Sequence, residues 1–295
     1  MHFKLKIHIK EKKMNFQIQI LQYLESVRTD FLTAIMVSIT MMAESLFLVS
    51  ILAILYWCVD KVKSIRLAFI VLFSSVINGV IKTIVQMPRP FEKGVIIPLR
   101  VETATSSSFP SGHTQSATSF WGGSSFILKS RLSLVMAAFM VGLTAFSRLY
   151  LGVHWPMDVI GGILFGLLSI FMANHIVGED ALVKRNHIIA ISIVALLGMV
   201  MPIEKDLAKA IASLWGMLCG LYVEQKHIQF EPIQKLKVQI VKVIIGMATI
   251  IIIYIGLKNL FPKDKLFDMI RYAILLLWIT AGAPYLFKSI KFNEG

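Results

Sequence analysis

Lys82, Arg89, His113, Arg148, His154 and Asp158 are the side chains whose types and spacing read as chemistry rather than as surface in this 295-residue chain. They fall in three short stretches. KTIVQMPRP (82–90) ends an apolar run at Lys82 and then breaks it. Pro88 and Pro90 lack the amide donor a helix needs and disfavour helix in the residue before them. Arg89 is left in an extended turn, where its planar fork suits bidentate binding of an oxyanion and Lys82 supplies a point charge. SSSFPSGHTQS (106–116) turns tightly at Pro110, Ser111 and Gly112 into the next apolar run. Ser111 is the expected N-cap, and the unpaired amides at that helix start favour an anion. His113 stands beside them, placed to give a proton to a departing oxygen. SRLYLGVHWPMD (147–158) closes one apolar run with Arg148 and opens another near residue 155, so His154 precedes a helix whose first turn carries Asp158. The i, i+4 separation brings that carboxylate to the imidazole; an Asp on Nδ1 fixes the tautomer and leaves Nε2 as a nucleophile.

Each stretch alone has a plainer reading: a snorkelling lysine with a basic loop, an interfacial histidine after a turn, a salt-bridged loop anchor. Together they hold an anion site of three cations, one histidine placed to attack and one placed to protonate. That is a complete set of parts for phosphoryl transfer.

The elements that must position these residues are written in the composition. The chain is 56% hydrophobic and only 16% charged, with a mean hydropathy of +0.73. Soluble domains are less apolar and more charged, so the expected class is an all-α, polytopic integral-membrane bundle. Hydrophobic stretches at 31–58, 66–86, 113–129, 132–150, 157–177, 187–202, 206–223, 239–258 and 267–287 predict about nine transmembrane helices, of which 113–129 and 187–202 are short. Residues 1–30 read as a basic tail with an amphipathic interfacial segment from residue 14. Residues 31–177 read as the catalytic core of five spans, and 178–295 as a C-terminal bundle of about four. Gly216 and Gly220, at i, i+4, are expected to let helices pack closely there. Cys58 and Cys219 lie in apolar segments and suggest neither a disulfide framework nor a metal site.

Span counting puts the end of the second span, the loop 87–112 and the junction 148–157 on one face. The opposite loops carry more Lys and Arg, which predicts a cytoplasmic opposite face and an outward-facing site. Lys4, Lys6, Lys10, Lys12, Lys13 and Arg28 run against this, and residues 1–13 are expected to be an extension upstream of a start at Met14, without a cleavable leader. The net charge of +13 is spread through short loops, which points to anionic lipid rather than to nucleic acid.

KTIVQMPRP, PSGH and SRLYLGVHWPMD resemble, in order, the three signature motifs of the type 2 phosphatidic acid phosphatase superfamily: K-x6-R-P, P-S-G-H and S-R-x5-H-x3-D. With YWCVDK (56–61) and GGILFG (161–166), the resemblance covers roughly 30–177. It implies that His154 attacks phosphorus to form a phosphohistidine, with Asp158 orienting it. Lys82, Arg89 and Arg148 would hold the phosphate oxygens with Ser111 and the Gly112 amide, and His113 would protonate the leaving group and later activate water. The family needs no metal, and no acidic cluster at Mg²⁺- or Zn²⁺-ligand spacing occurs near the motifs; no cofactor is expected.

The implied substrate is a lipid phosphate or pyrophosphate: a prenyl pyrophosphate, phosphatidylglycerophosphate or phosphatidic acid. The extra C-terminal spans also resemble the glucose-6-phosphatase branch, which would take a soluble phosphomonoester. Vanadium haloperoxidases share the pocket, but many spans oppose that reading. A non-catalytic transporter or lipid-binding protein would need neither His154 nor Asp158. Glu44, read as lying mid-span, is expected to pair with a buried polar group rather than touch substrate. Lys93 and Arg100 are at hand for a second phosphate, though such rim charges are more often solvated.

Overall fold

The computed structural model describes residues 15–232 and 235–290. The tail and the proposed extension at 1–13 lie outside them. Among the described residues the structure is helical throughout, with no strand. The helices are α1 (15–26), α2 (Asp30–Met41), α3 (Ser45–Cys58), α4 (Lys61–Val85), α5 (Gly112–Ala117), α6 (Gly123–Leu128) and α7 (Arg131–Tyr150). They continue with α8 (Pro156–Val177), α9 (Arg185–Val200), α10 (Lys205–Val223), α11 (Leu236–Leu260), α12 (Lys265–Leu277) and α13 (Ala283–Ser289). Wide π turns join α5 to α6 (Thr118–Gly122) and α12 to α13 (Trp278–Gly282).

Every predicted hydrophobic stretch is helical, but the count of about nine spans is not reached. Among the described residues six helices are long and apolar enough to cross a bilayer, or seven if the broken pair α2 and α3 forms one span. Geometry explains the difference. At 1.5 Å per residue, α9 with its 16 residues reaches only about 24 Å, short of a hydrocarbon core of about 30 Å. The run Gly112–Leu128 is similarly short, at about 26 Å, and is interrupted by its π turn.

Local chemistry sets the boundaries. Thr29, Ser111, Ser130 and Asp264 each cap a helix by accepting a backbone N–H. α4 stops at Val85, where Gln86 turns into the left-handed region ahead of Pro88. α8 begins at Pro156, whose missing N–H costs nothing at a helix start. Glu44 is not mid-helix: α2 ends at Met41, and Glu44 lies in the break before α3.

The chain forms two compact units, 1–44 with 80–168 and 45–79 with 169–295. In the first, α1 lays Leu21 against Ile96 and Trp155, while its Phe16 and Tyr23 stay exposed, the division expected of an amphipathic segment. Gly162 lets α8 approach the turn before α5, for a Cβ there would stand 2.8 Å from the Ser111 carbonyl oxygen. In the second unit, Gly216 and Gly220 of α10 do what their spacing predicts. Added Cβ atoms would meet Ala273 O at 2.2 Å and Thr280 Oγ1 at 2.0 Å, so only glycine permits this contact with α12 and its following turn. α11 keeps Ile244, Ile251, Ile252 and Ile255 exposed, as a lipid-facing helix does.

Candidate active site

All eight residues singled out from the sequence fall in the first unit. Lys82, Arg89, Ser111, Arg148, His154 and Asp158 are buried, and Gly112 and His113 are partly so. Lys82, one turn from the end of α4, points its ammonium at Ser106 Oγ, 3.1 Å away, and at the Ser107 carbonyl. Arg89 donates from Nε to Ser106 O at 2.8 Å and from Nη1 to Val153 O at 2.8 Å. Ser106 therefore ties the two cations of the first motif to the strand of chain that leads into the second.

His154 lies in the loop between α7 and α8. Gly152, at φ +72°, makes that loop possible, since the turn uses a conformation L-residues rarely adopt and a Cβ would stand 2.9 Å from Arg28 Nη2. The imidazole is fixed from both sides. Nδ1 is 3.2 Å from Asp158 Oδ2, and Nε2 is 3.3 Å from Arg89 Nη1. A guanidinium has only donors, so Nε2 faces it as an acceptor, and the ring proton sits on Nδ1. The same Asp158 oxygen accepts from the Trp155 amide at 2.8 Å and from the Ser108 hydroxyl. Burial, then the charges of Arg89, Arg148 and Lys82, hold the imidazole well below the ordinary histidine value. It is neutral at pH 7, with a lone pair on Nε2, which is the form a nucleophile requires.

Arg148 ends α7 with no exposed surface. Its Nη1 donates to Thr40 Oγ1 of α2 at 2.8 Å, while Nε and Nη2 are buried without a hydrogen-bond partner among the described residues. Two buried, unsatisfied donors on a fixed cation are what an oxyanion satisfies. Ser111 spends its hydroxyl on Thr114, 3.0 Å from Oγ1 and 3.4 Å from the amide, and so acts as the N-cap. Its own N–H donates to Asp158 O at 2.9 Å, joining the start of α5 to the first turn of α8. His113 follows on α5; its Nε2 is buried, has no hydrogen-bond partner among the described residues, and lies 3.8 Å from Glu44 Oε1. Arg100 Nη2 contacts the same carboxylate oxygen at 2.5 Å, so Arg100 is an ion-pair partner rather than a solvated rim charge.

Thr40, Ser106, Ser108 and the Trp155 amide are the parts sequence reasoning missed. The serines were open to discovery, standing beside PSGH in an unbroken SSS run. Thr40 gave no signal, being 108 positions from Arg148 in an apolar helix. Among the described residues no group of three or more His, Cys, Asp or Glu is placed to hold a metal ion. Chemically the arrangement offers a neutral ring nitrogen with a free lone pair, a carboxylate fixing its tautomer, three cations and a second histidine in the same unit.

Comparison with known proteins finds a family model described as the PAP2 superfamily over residues 63–181 and one described as PAP2 superfamily phosphatase, transmembrane extension, over residues 208–295. Phosphatidylglycerophosphatase B of Bacillus subtilis is 28% identical over 54% of this chain and 80% of its own length. An undecaprenyl-diphosphatase of Sulfolobus acidocaldarius is 26% identical over 58% of this chain and 85% of its own. Human sphingosine-1-phosphate phosphatase 2 is 30% identical over 44% of this chain, a match that spans only 34% of the human protein. Among solved structures, a transmembrane PAP2-type phosphatidylglycerolphosphate phosphatase from Bacillus subtilis aligns with a TM-score of 0.49 and 25% identity, over 59% of this chain and 89% of that one.

Proposed function

Because the chain belongs to the PAP2 superfamily, we propose that it is an integral-membrane phosphatase acting on a lipid phosphate or pyrophosphate through a phosphohistidine. One observation carries the reading: Arg89 and Asp158 pin His154 in the tautomer with a bare Nε2, in a unit that also holds buried, unsatisfied guanidinium donors on Arg148. Binding alone needs the donors and not the tautomer.

In the first step Nε2 of His154 attacks phosphorus. The P–N bond forms as the bond to the leaving oxygen breaks, and that oxygen takes a proton from His113. Asp158 stabilises the positive charge that develops on the His154 ring. Lys82, Arg89 and Arg148 hold the equatorial oxygens, whose charge is spread in the transition state. In the second step water gives a proton to His113 and its oxygen to phosphorus, the P–N bond breaks, and inorganic phosphate departs. The charge stabilisation comes from the three cations, without a metal.

Of the three candidate lipids, phosphatidylglycerophosphate and a prenyl pyrophosphate match the names of relatives, beside others named for sphingosine 1-phosphate, and phosphatidic acid is a third choice. We place residues 31–177 as the catalytic core and 178–295 as an added bundle, and the site on the outward face of a bacterial cytoplasmic membrane. On the nine-span reading, and with residues 1–13 and Arg28 left out of the count, the Lys and Arg excess on the opposite loops supports that orientation. Phosphate release from purified protein in detergent, with chelator present, tests these points across a prenyl pyrophosphate, phosphatidylglycerophosphate, phosphatidic acid and glucose 6-phosphate. Turnover of the lipids well above the sugar is expected; comparable rates would replace the lipid reading with a soluble phosphomonoester. His154→Ala is expected to abolish release, and undiminished hydrolysis would remove the nucleophile from the scheme.

A further inference from the structure

Glu44 lies outside both matched regions, in the break between α2 and α3, and Arg100 lies between the motifs. Yet Glu44 Oε1 is 3.8 Å from His113 Nε2 and 2.5 Å from Arg100 Nη2. We propose that Glu44 is the positioning residue of the acid step: its carboxylate holds the proton on His113 Nε2 until the leaving oxygen arrives, and Arg100 keeps Glu44 from taking that proton itself. The inference rests on the phosphatase reading above.

A leaving alkoxide needs a charged imidazolium, and the surroundings of His113 work against one. Burial opposes it, as do the cationic guanidiniums of Arg148 from α7 and Arg100 from the 91–109 loop. His154, from the loop before α8, is neutral and adds no attraction. Glu44 is the carboxylate that favours the proton, together with the incoming phosphoryl dianion. The separation matters as much as the charge. At 3.8 Å the carboxylate acts on His113 through its field without a hydrogen bond, so Nε2–H remains available to substrate.

Arg100 accounts for the carboxylate's failure to close that gap. Its guanidinium bonds the same oxygen that faces His113, weakening it as a base and fixing its place. Arg100 itself is held in the left-handed region at φ +60°, which an L-residue adopts only where its surroundings impose it. The proton balance is simple. It passes from His113 to the leaving oxygen as the P–O bond breaks, and water restores it in the second step; Glu44 stays a carboxylate throughout.

The test compares leaving groups in the full-length protein. Glu44→Gln keeps a bond to Arg100 but removes the charge. It is expected to lower kcat on phosphatidic acid and phosphatidylglycerophosphate by roughly 10- to 100-fold with KM little changed, the scale of a general-acid contribution. On p-nitrophenyl phosphate, whose phenolate departs unprotonated, the loss is expected to stay below about threefold. Glu44→Asp restores the charge one methylene back and is expected to lose only about three- to tenfold, on the alkyl esters alone. Equal losses on both ester types, in either variant, would reduce Glu44 to a structural role. A second measurement needs no turnover: titration of the isotopically labelled His113 ring should move about one pH unit lower in Glu44→Gln. An unmoved midpoint overturns the proposal, whereas undiminished hydrolysis in His154→Ala overturns the phosphatase reading and leaves the titration to stand or fall by itself.

Discussion

Arg148 and Arg271 are the same residue type, each buried on an apolar helix, Arg148 in the last turn of α7 and Arg271 midway along α12, one in each compact unit. Arg271 reaches one turn back to Asp268, 2.7 Å away, and its charge is answered. Among the described residues Arg148 bonds only the neutral hydroxyl of Thr40, with two donors left over. A buried cation beside its own carboxylate, here on the same helix, has its charge compensated where it stands. One that goes unanswered costs stability and is retained for something that arrives with a charge. The second unit repeats its pattern at Lys61, which meets the fully buried Glu224 at 2.6 Å while the Phe230 amide bonds the same oxygen.

If this contrast is sound, substitutions in the two units fail in different ways. The largest effect is expected from Asp158→Asn, which frees the His154 tautomer: about 10³- to 10⁴-fold in kcat by phosphate release, with thermal stability little changed. Next comes Arg148→Met, which removes an uncompensated charge of similar length. It is expected to cost about 10²- to 10³-fold in kcat/KM while the melting temperature in detergent holds or rises. A lower melting temperature with activity retained would erase the contrast. Arg271→Met should do the reverse, stranding Asp268 and lowering stability by about 3 kcal/mol with kcat within about twofold of the parent. The smallest effect belongs to Lys209→Ala in the same unit, whose pair with Asp206 at 3.4 Å is partly exposed. A shift within about 0.5 kcal/mol is expected, and a larger one would mean that pairing rather than burial sets the value of these charges.

The site was legible wherever side chains meet at short range along the chain. His154 and Asp158 are one helical turn apart, and Ser111 is three residues before the amide it caps, so spacing alone predicted both contacts. What spacing hid were backbone partners and distant ones. The Ser106 and Val153 carbonyls that hold Arg89 carry no residue signature, and Thr40 reaches Arg148 only because α2 and α7 pack together. The fold was legible as helices in every apolar stretch, but their number as spans was not. Hydropathy marks apolar runs without marking the π turn at Thr118–Gly122 or the break that leaves Glu44 at a helix end. That break changed the meaning of Glu44. A charge that looked expensive inside a helix instead stands at a helix break, paired with Arg100.

The bond from the Ser111 amide to the Asp158 carbonyl is made by main-chain atoms at both ends. Any residue at 158 supplies the same acceptor, and every residue but proline at 111 supplies the same donor. The alignment of the two helix starts is therefore invisible to most point mutations, while the proposed reaction needs a carboxylate at one of those positions. Drift within a lineage can silence the chemistry long before it loosens the scaffold, and a silenced descendant would keep its anion-binding donors in place, open to another use.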